Sequence, residues 1–196
     1  MPRRVAPPDP PLADDTIRLE PITAADADDL DALARDDAVR HYASTPTDPP
    51  PGFGETWARV YTDAWRDGGR AGFAIRDARG GPAFLGIAVY VHLDPEAREG
   101  EAGYIVAPAA RGRGVATRSL RLLTDWGFGE LALERIELRI DVTNEVSEAV
   151  ARRCGYTREG VLRSVHFKEG RRIDFGVWSR LRGEAVPSAG WKKGSR

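Results

Sequence analysis

The chain has 196 residues, with 29 Lys+Arg against 30 Asp+Glu and a formal net charge of −1. That length fits one compact domain, and the balanced charge argues against a broad basic surface for nucleic acid. With 41% hydrophobic residues, one cysteine (Cys154) and three scattered histidines (His41, His92, His166), the composition argues against global disorder, a disulfide framework and a Cys- or His-based metal site.

Residues 1–15 are rich in proline and polar groups and read as a flexible arm. They hold no apolar core of a signal peptide, and the chain has no run of about 18 apolar residues, so no membrane span is expected and the default setting is cytoplasmic. Ile17 to Ile22 alternates as a half-buried strand does. Thr23 looks like an N-cap, with Asp26 three residues on, for a helix over 24–40. Residues 46–54 carry four prolines and two glycines and must be a loop. Trp57, Val60, Tyr61 and Ala64 then mark a second amphipathic helix over 55–65. Strands at 71–77 and 84–92 flank the turn Arg79-Gly80-Gly81-Pro82, and a further strand covers 102–106. A helix over 115–131 buries Leu120, Leu123, Trp126 and Phe128. A strand at 136–142, a helix at 144–153 and strands at 156–162 and 174–181 complete the body, before a polar, loose tail at 183–196. The order β-α-α-β-β-β-α-β-α-β-β predicts an α/β (α+β) fold. It has a mixed, mostly antiparallel central sheet of about seven strands and helices on both faces. The missing βαβ rhythm excludes a doubly wound dinucleotide fold.

Chemistry concentrates where the strand Gly103-Tyr104-Ile105-Val106 runs through Pro108 into Arg111-Gly112-Arg113-Gly114 and a helix. The glycines permit a tight turn that exposes backbone N–H groups. The first helical turn leaves its own donors unpaired, and the helix dipole favours an anion there. Arg111 and Arg113 add donors suited to phosphate. Neither a Walker loop nor a dinucleotide fingerprint is present.

Arg111-Gly112-Arg113-Gly114-Val115-Ala116 resembles the acetyl-CoA pyrophosphate motif of the GNAT superfamily of N-acetyltransferases. Further blocks resemble its RimJ/RimL-like branch: Asn144-Glu145-Val146-Ser147, then Arg158-Glu159-Gly160-Val161-Leu162-Arg163, then the strand from Asp174 to Ser179, together with the opening Ile17-Arg18-Leu19-Glu20-Pro21. The resemblance covers roughly residues 16–182 and implies one acetyltransferase domain between the arm and the tail. It implies that the fourth and fifth core strands splay and that the pantetheine arm lies between 104–107 and 140–143. Val106 would hold the pantetheine or the thioester carbonyl, and a backbone N–H there would stabilise an oxyanion. The amides of Arg113, Gly114, Val115 and Ala116 would take the pyrophosphate.

The resemblance also implies an acetyl-CoA co-substrate, no metal and a primary-amine acceptor, either a protein N-terminus or a small molecule such as a polyamine, amino acid or antibiotic. Asn144 would contact the pantetheine and equally suits a helix N-cap. Arg153, beside Arg152 at a helix end, would face the CoA phosphates. Where many members carry a tyrosine seven residues beyond the asparagine, this chain has Ala151. Ser147, on the helix face of Asn144, becomes the acid or thiol-positioning candidate. Glu101 and His166 are the candidate bases, with His92 behind them. Cys154 reads as buried and unreactive. The loop 44–54 and the second helix would form the acceptor pocket, with His41, Tyr42 and Phe53 lining it. A non-catalytic acyl-CoA sensor, a donor such as succinyl-CoA, a plain anion-binding scaffold and a homodimer all stay open.

Overall fold

The computed structural model describes residues 5–81 and 83–185, and eight strands among them form one sheet. The strands are β1 (Leu12–Ala13), β2 (Ile17–Pro21), β3 (Ala71–Asp77), β4 (Phe84–Asp94), β5 (Glu99–Val106), β6 (Arg135–Asp141), β7 (Thr157–Lys168) and β8 (Arg171–Leu181). The helices are α1 (Ala27–Ala34), α2 (Asp37–Tyr42), α3 (Phe53–Asp67), α4 (Val115–Gly129) and α5 (Glu145–Arg153). The sheet order is β1-β2-β3-β4-β5-β6-β8-β7, and only β5 and β6 pair in parallel. The mixed, mostly antiparallel sheet expected from the sequence is present, with eight strands in place of about seven.

The extra strand corrects the reading of the N-terminal arm. Leu12 and Ala13 pair with Leu19 and Arg18. Val5 is buried, and the carboxylates of Asp14 and Asp15 each take the Arg118 guanidinium at 2.8 Å. Prolines bar the segment from a helix or a central strand, but a sheet edge tolerates them. Residues 1–4, Pro82 of the β3–β4 turn and the tail from 186 lie outside the described residues.

A second correction concerns 24–40, expected as one helix. It divides into a 3-10 turn (Ala24–Asp26), α1 and α2. The Asp26 carboxylate accepts from the Thr23 N–H at 2.8 Å, as the capping pattern predicted. The break falls at Asp36, whose backbone is extended and whose side chain accepts from the Val39 N–H to start α2. An aspartate inside an apolar periodicity thus starts a new helix, because a short carboxylate competes for backbone donors.

Strand alternation sends side chains of β3 and β4 to two cores. Phe73, Ile75, Ala88 and Tyr90 join Leu120, Leu123 and Trp126 of α4 on one face. Ala74, Ile87 and Val89 join Leu30, Leu33, Val39, Ala58 and Tyr61 of α1, α2 and α3 on the other. The buried Tyr90 hydroxyl donates to the Leu123 carbonyl at 3.0 Å and fixes α4 on the sheet. Gly127 allows that approach, since a Cβ there would lie 2.1 Å from the same hydroxyl. Among the described residues no helix is long and apolar enough to cross a membrane.

Candidate active site

The parallel pair β5–β6 starts in register at Glu99–Arg135, Gly100–Ile136 and Glu101–Glu137 and then opens. Beyond that fork β5 stays paired with β4 as far as Val106, opposite Gly86, while β6 stays paired with β8 as far as Asp141, opposite Phe175. Ala107 donates to the Leu85 carbonyl at 2.9 Å on the β4 side. By strand alternation, the backbone groups of Val106 and Tyr104 face the opposite way, into the opening. The splay implied by the resemblance is therefore built, with strand donors and acceptors along one wall.

One cleft of about 1390 Å³ runs through the opening. On its α4 side lie Gly112, Gly114, Val115 and Ala116. Gly112 and Gly114 have φ of 73° and 76°, the left-handed region that glycine enters at least cost. Gly114 is the N-cap of α4, and no side chain caps it. The first helical bond there runs from the Arg118 N–H to the Gly114 carbonyl, so the amides of the first turn precede any intrahelical partner. Four of the residues expected around a pyrophosphate thus come together on one wall.

The two arginines behave differently. Arg113 is exposed, does not line the cleft, and makes no hydrogen bond or ion pair among the described residues. Arg111 lines the cleft, and its side chain is already engaged there. Its Nε donates to the Val106 carbonyl at 3.2 Å, and its guanidinium grips the Asp36 carboxylate at the start of α2 through both terminal nitrogens. Burial pushes the Asp36 carboxyl up, but the bonds from Arg111 and Val39 outweigh it and hold the group below the ordinary carboxylate range. Arg111 thus fastens the glycine loop to the start of α2 while staying on the cleft wall.

Asn144 caps α5, its side-chain oxygen accepting from the Ser147 N–H at 3.0 Å, and it also lines the cleft. Ser147 lines it too. Its Oγ lies 3.1 Å from the Tyr104 hydroxyl, which spans from β5 to α5. Burial pushes the Tyr104 phenol up to about 12, with the Ser147 bond pulling the other way, so Tyr104 is a neutral donor at working pH. Tyr104 is a cleft residue that no motif marks. Its signal was its place two residues before Val106, on the strand face that meets the opening.

Glu101 sits at the fork and lines the cleft. Burial raises its carboxyl above the ordinary range, and Arg139, with Nε at 3.5 Å, opposes that rise. His92 lies across the β4–β5 register from Glu101 but not on the cleft wall. His166 also stays off the wall. It stacks on Phe175, ring centres 5.6 Å apart, and Phe175 is the cleft residue. On the α2–α3 side Tyr42 and Phe53 line the cleft as expected, while His41 packs edge-on against Tyr42 at 4.5 Å outside it. Trp57, Val60 and Tyr61 extend that aromatic wall. Arg153 lines the cleft, and its carbonyl accepts from Arg121 at 3.0 Å. Arg152 instead lies over the Trp178 ring and pairs with Glu148. Cys154 is buried, and burial pushes its thiol up to about 11, which leaves it unreactive. No group of three metal-ligating side chains occurs among the described residues.

Comparison with known proteins fits this geometry. Residues 16–157 match the model of an acetyltransferase (GNAT) domain family. Bacillus subtilis YdaF, named as a candidate ribosomal N-acetyltransferase, is 32% identical over 128 residues, covering 65% of this chain and 66% of YdaF. The spermidine N(1)-acetyltransferase of Escherichia coli K12 is 33% identical over 85 residues, 43% of this chain and 46% of that enzyme. The chain therefore aligns with just under two thirds of the first relative and under half of the second. The solved structure of RimL, a ribosomal L7/L12 alpha-N-protein acetyltransferase in complex with coenzyme A, superposes with a TM-score of 0.79 at 18% identity. That superposition covers 87% of this chain and 96% of RimL, which shows a shared fold. With 16–157 matched by the family model and the glycine loop, split strands and α5 cap in their places, the chain belongs to the GNAT acetyltransferase family.

Proposed function

We propose that the protein transfers the acetyl group of acetyl-CoA to a primary amine by direct attack in a ternary complex. The observation that carries this reading is the single cleft joining the uncapped start of α4, on one side of the split strands, to Glu101 and an aromatic wall on the other. A long donor fits it: the first-turn amides of α4 suit a pyrophosphate, the unpaired edge of β5 suits a pantetheine amide, and Asn144 and Arg153 lie along the same wall. The donor supplies an activated acyl carbonyl, and the chain's own groups do the rest.

The amine, once neutral, attacks the carbonyl carbon. The Val106 N–H faces the opening and stabilises the oxygen as charge gathers on it. Glu101 accepts the proton that the new ammonium sheds, a role suited to a carboxyl that burial raises above the ordinary range. The Ser147 hydroxyl, held by Tyr104, gives its proton to the departing sulfur and is reprotonated through the phenol or water. Cys154 is buried away from the cleft, which supports direct attack over a covalent acyl-enzyme. RimL acts on a protein N-terminus and the E. coli relative on spermidine, so the acceptor lies within amine chemistry.

Free thiol is followed after mixing the protein, acetyl-CoA and a panel of amines. Amine-dependent thiol release, with intersecting double-reciprocal lines, supports the reading. Acetyl-CoA binding without release on any amine would leave a sensor, and parallel lines would mark an acyl-enzyme.

A further inference from the structure

The acceptor half of the cleft carries a chemical signature of its own. Tyr42 from α2, Phe53, Trp57, Val60 and Tyr61 from α3, and Phe175 from β8 form its wall. The Phe53 and Trp57 rings lie 5.5 Å apart. Tyr42, Val60 and Val91 are among the large apolar residues the fold leaves exposed, at 37%, 39% and 37%, and all three line this cleft. Apolar side chains left in water together mark a surface that something apolar covers.

The charges on this half point the same way. Two arginines, Arg70 and Arg139, line it. Arg139 is itself ion-paired, with Glu137 at 2.9 Å and Glu101 at 3.5 Å, and Asp141 already accepts from the Thr143 N–H at 2.8 Å and the Thr143 hydroxyl at 2.7 Å. A polyamine carrying several charges would find Glu101 for its reacting amine and, for the others, an apolar wall and carboxylates already engaged. We infer that the acceptor is a monoamine whose single amino group sits on an aromatic or bulky apolar body. The body packs on the wall from Tyr42 to Phe175, and the amine points to Glu101. This inference rests on the acetyltransferase reading and narrows its acceptor. Two sources share the chemistry: a small aralkyl amine, or a peptide N-terminus whose first residue is bulky and apolar.

The test uses the full chain with saturating acetyl-CoA. Initial rates are compared for 2-phenylethylamine, a short Phe-first peptide amide and spermidine. The expected kcat/KM for the better apolar amine exceeds that for spermidine by at least about tenfold, the scale on which one well-filled apolar pocket discriminates. The faster of the two apolar amines identifies the source. Spermidine equal or faster overturns the inference and leaves the transferase reading intact, whereas no thiol release on any amine overturns both. A second measurement uses Val60→Glu, a change on the exposed face of α3. It is expected to lower the apolar-to-spermidine ratio at least about threefold by placing a carboxylate in the wall. An unchanged ratio overturns the assignment of this wall.

Discussion

At the residue scale, two side chains carry the proposed chemistry. Glu101 is raised by burial at the fork. The sign of its linkage follows: a carboxyl raised on folding stabilises the fold only while protonated, and that contribution is lost as pH rises through the folded value. Once ionised, Glu101 therefore costs stability, and Glu101→Gln is expected to leave the Tm unchanged or higher above that pH. The same change is expected to lower kcat by about 10²–10⁴-fold, the range for a removed general base. The acid limb of the kcat pH profile should lie above the ordinary glutamate value and vanish in the variant. A Tm lower by several degrees would make Glu101 structural. Tyr104→Phe removes a hydroxyl 3.1 Å from Ser147 Oγ and keeps the ring. With one such bond worth about 1 kcal/mol, kcat is expected to fall roughly five- to tenfold with the KM for acetyl-CoA unchanged. The same fall in a Ser147→Ala background would show that Tyr104 does not act through the serine. Glu101 and Ser147 were legible because each lies in or beside a motif. Tyr104 shows only its place on β5, because its partner is 43 positions away and no local spacing records that contact.

At the scale of elements, the tie between the glycine loop and α2 matters most. Arg111 lies 75 positions from Asp36. The sequence marks Arg111 as a phosphate donor and gives no cue that a helix break would place a carboxylate beside it. The periodicity over 24–40 hid that break, and hydrophobic pattern alone does not locate a cap that starts a new helix. The pair joins the wall that suits the donor to the helix that carries Val39 and Tyr42 on the acceptor side. Asp36→Asn keeps a good N-cap and removes the charge. Both Asp36→Asn and Arg111→Ala are expected to raise the acceptor KM severalfold. CoA affinity, measured by titration calorimetry, should move by less than about threefold, as fits a partly exposed pair worth about 1 kcal/mol. The double variant should add little to either single one. Loss of CoA affinity in Arg111→Ala alone, with Asp36→Asn silent, would show that Arg111 serves the phosphate and not the tie to α2.

At the scale of the whole molecule, the splay divides the sheet into β1–β5 and β6–β8–β7, joined by three register pairs. An opening at mid-sheet needs each half to be rigid without the other's ladder. The first half has a core on both faces, and its strand alternation made it legible from sequence. The second half depends on a contact the sequence presented as a family block. Glu159 of β7 takes the Arg135 guanidinium of β6 in two bonds of 2.6 Å each. The Ser179 hydroxyl of β8, the strand between them, donates to the same carboxylate at 2.6 Å. One carboxylate thus fastens three strands. Arg135 and Ser179 hold its carboxyl at about 2, well below the ordinary glutamate value. A carboxyl lowered on folding gives stability that is fully present above its unfolded value and is lost as pH falls through the folded one. Because Glu159 is partly exposed, solvent reduces the contribution to about 1 kcal/mol. Glu159→Gln is expected to lower the Tm by about 2–4 °C at neutral pH. The gap between the two proteins should hold down to about pH 5 and close as pH falls toward 2. A gap that persists unchanged into acid would mean that packing around β7, and not the carboxylate's charge, holds this half of the sheet.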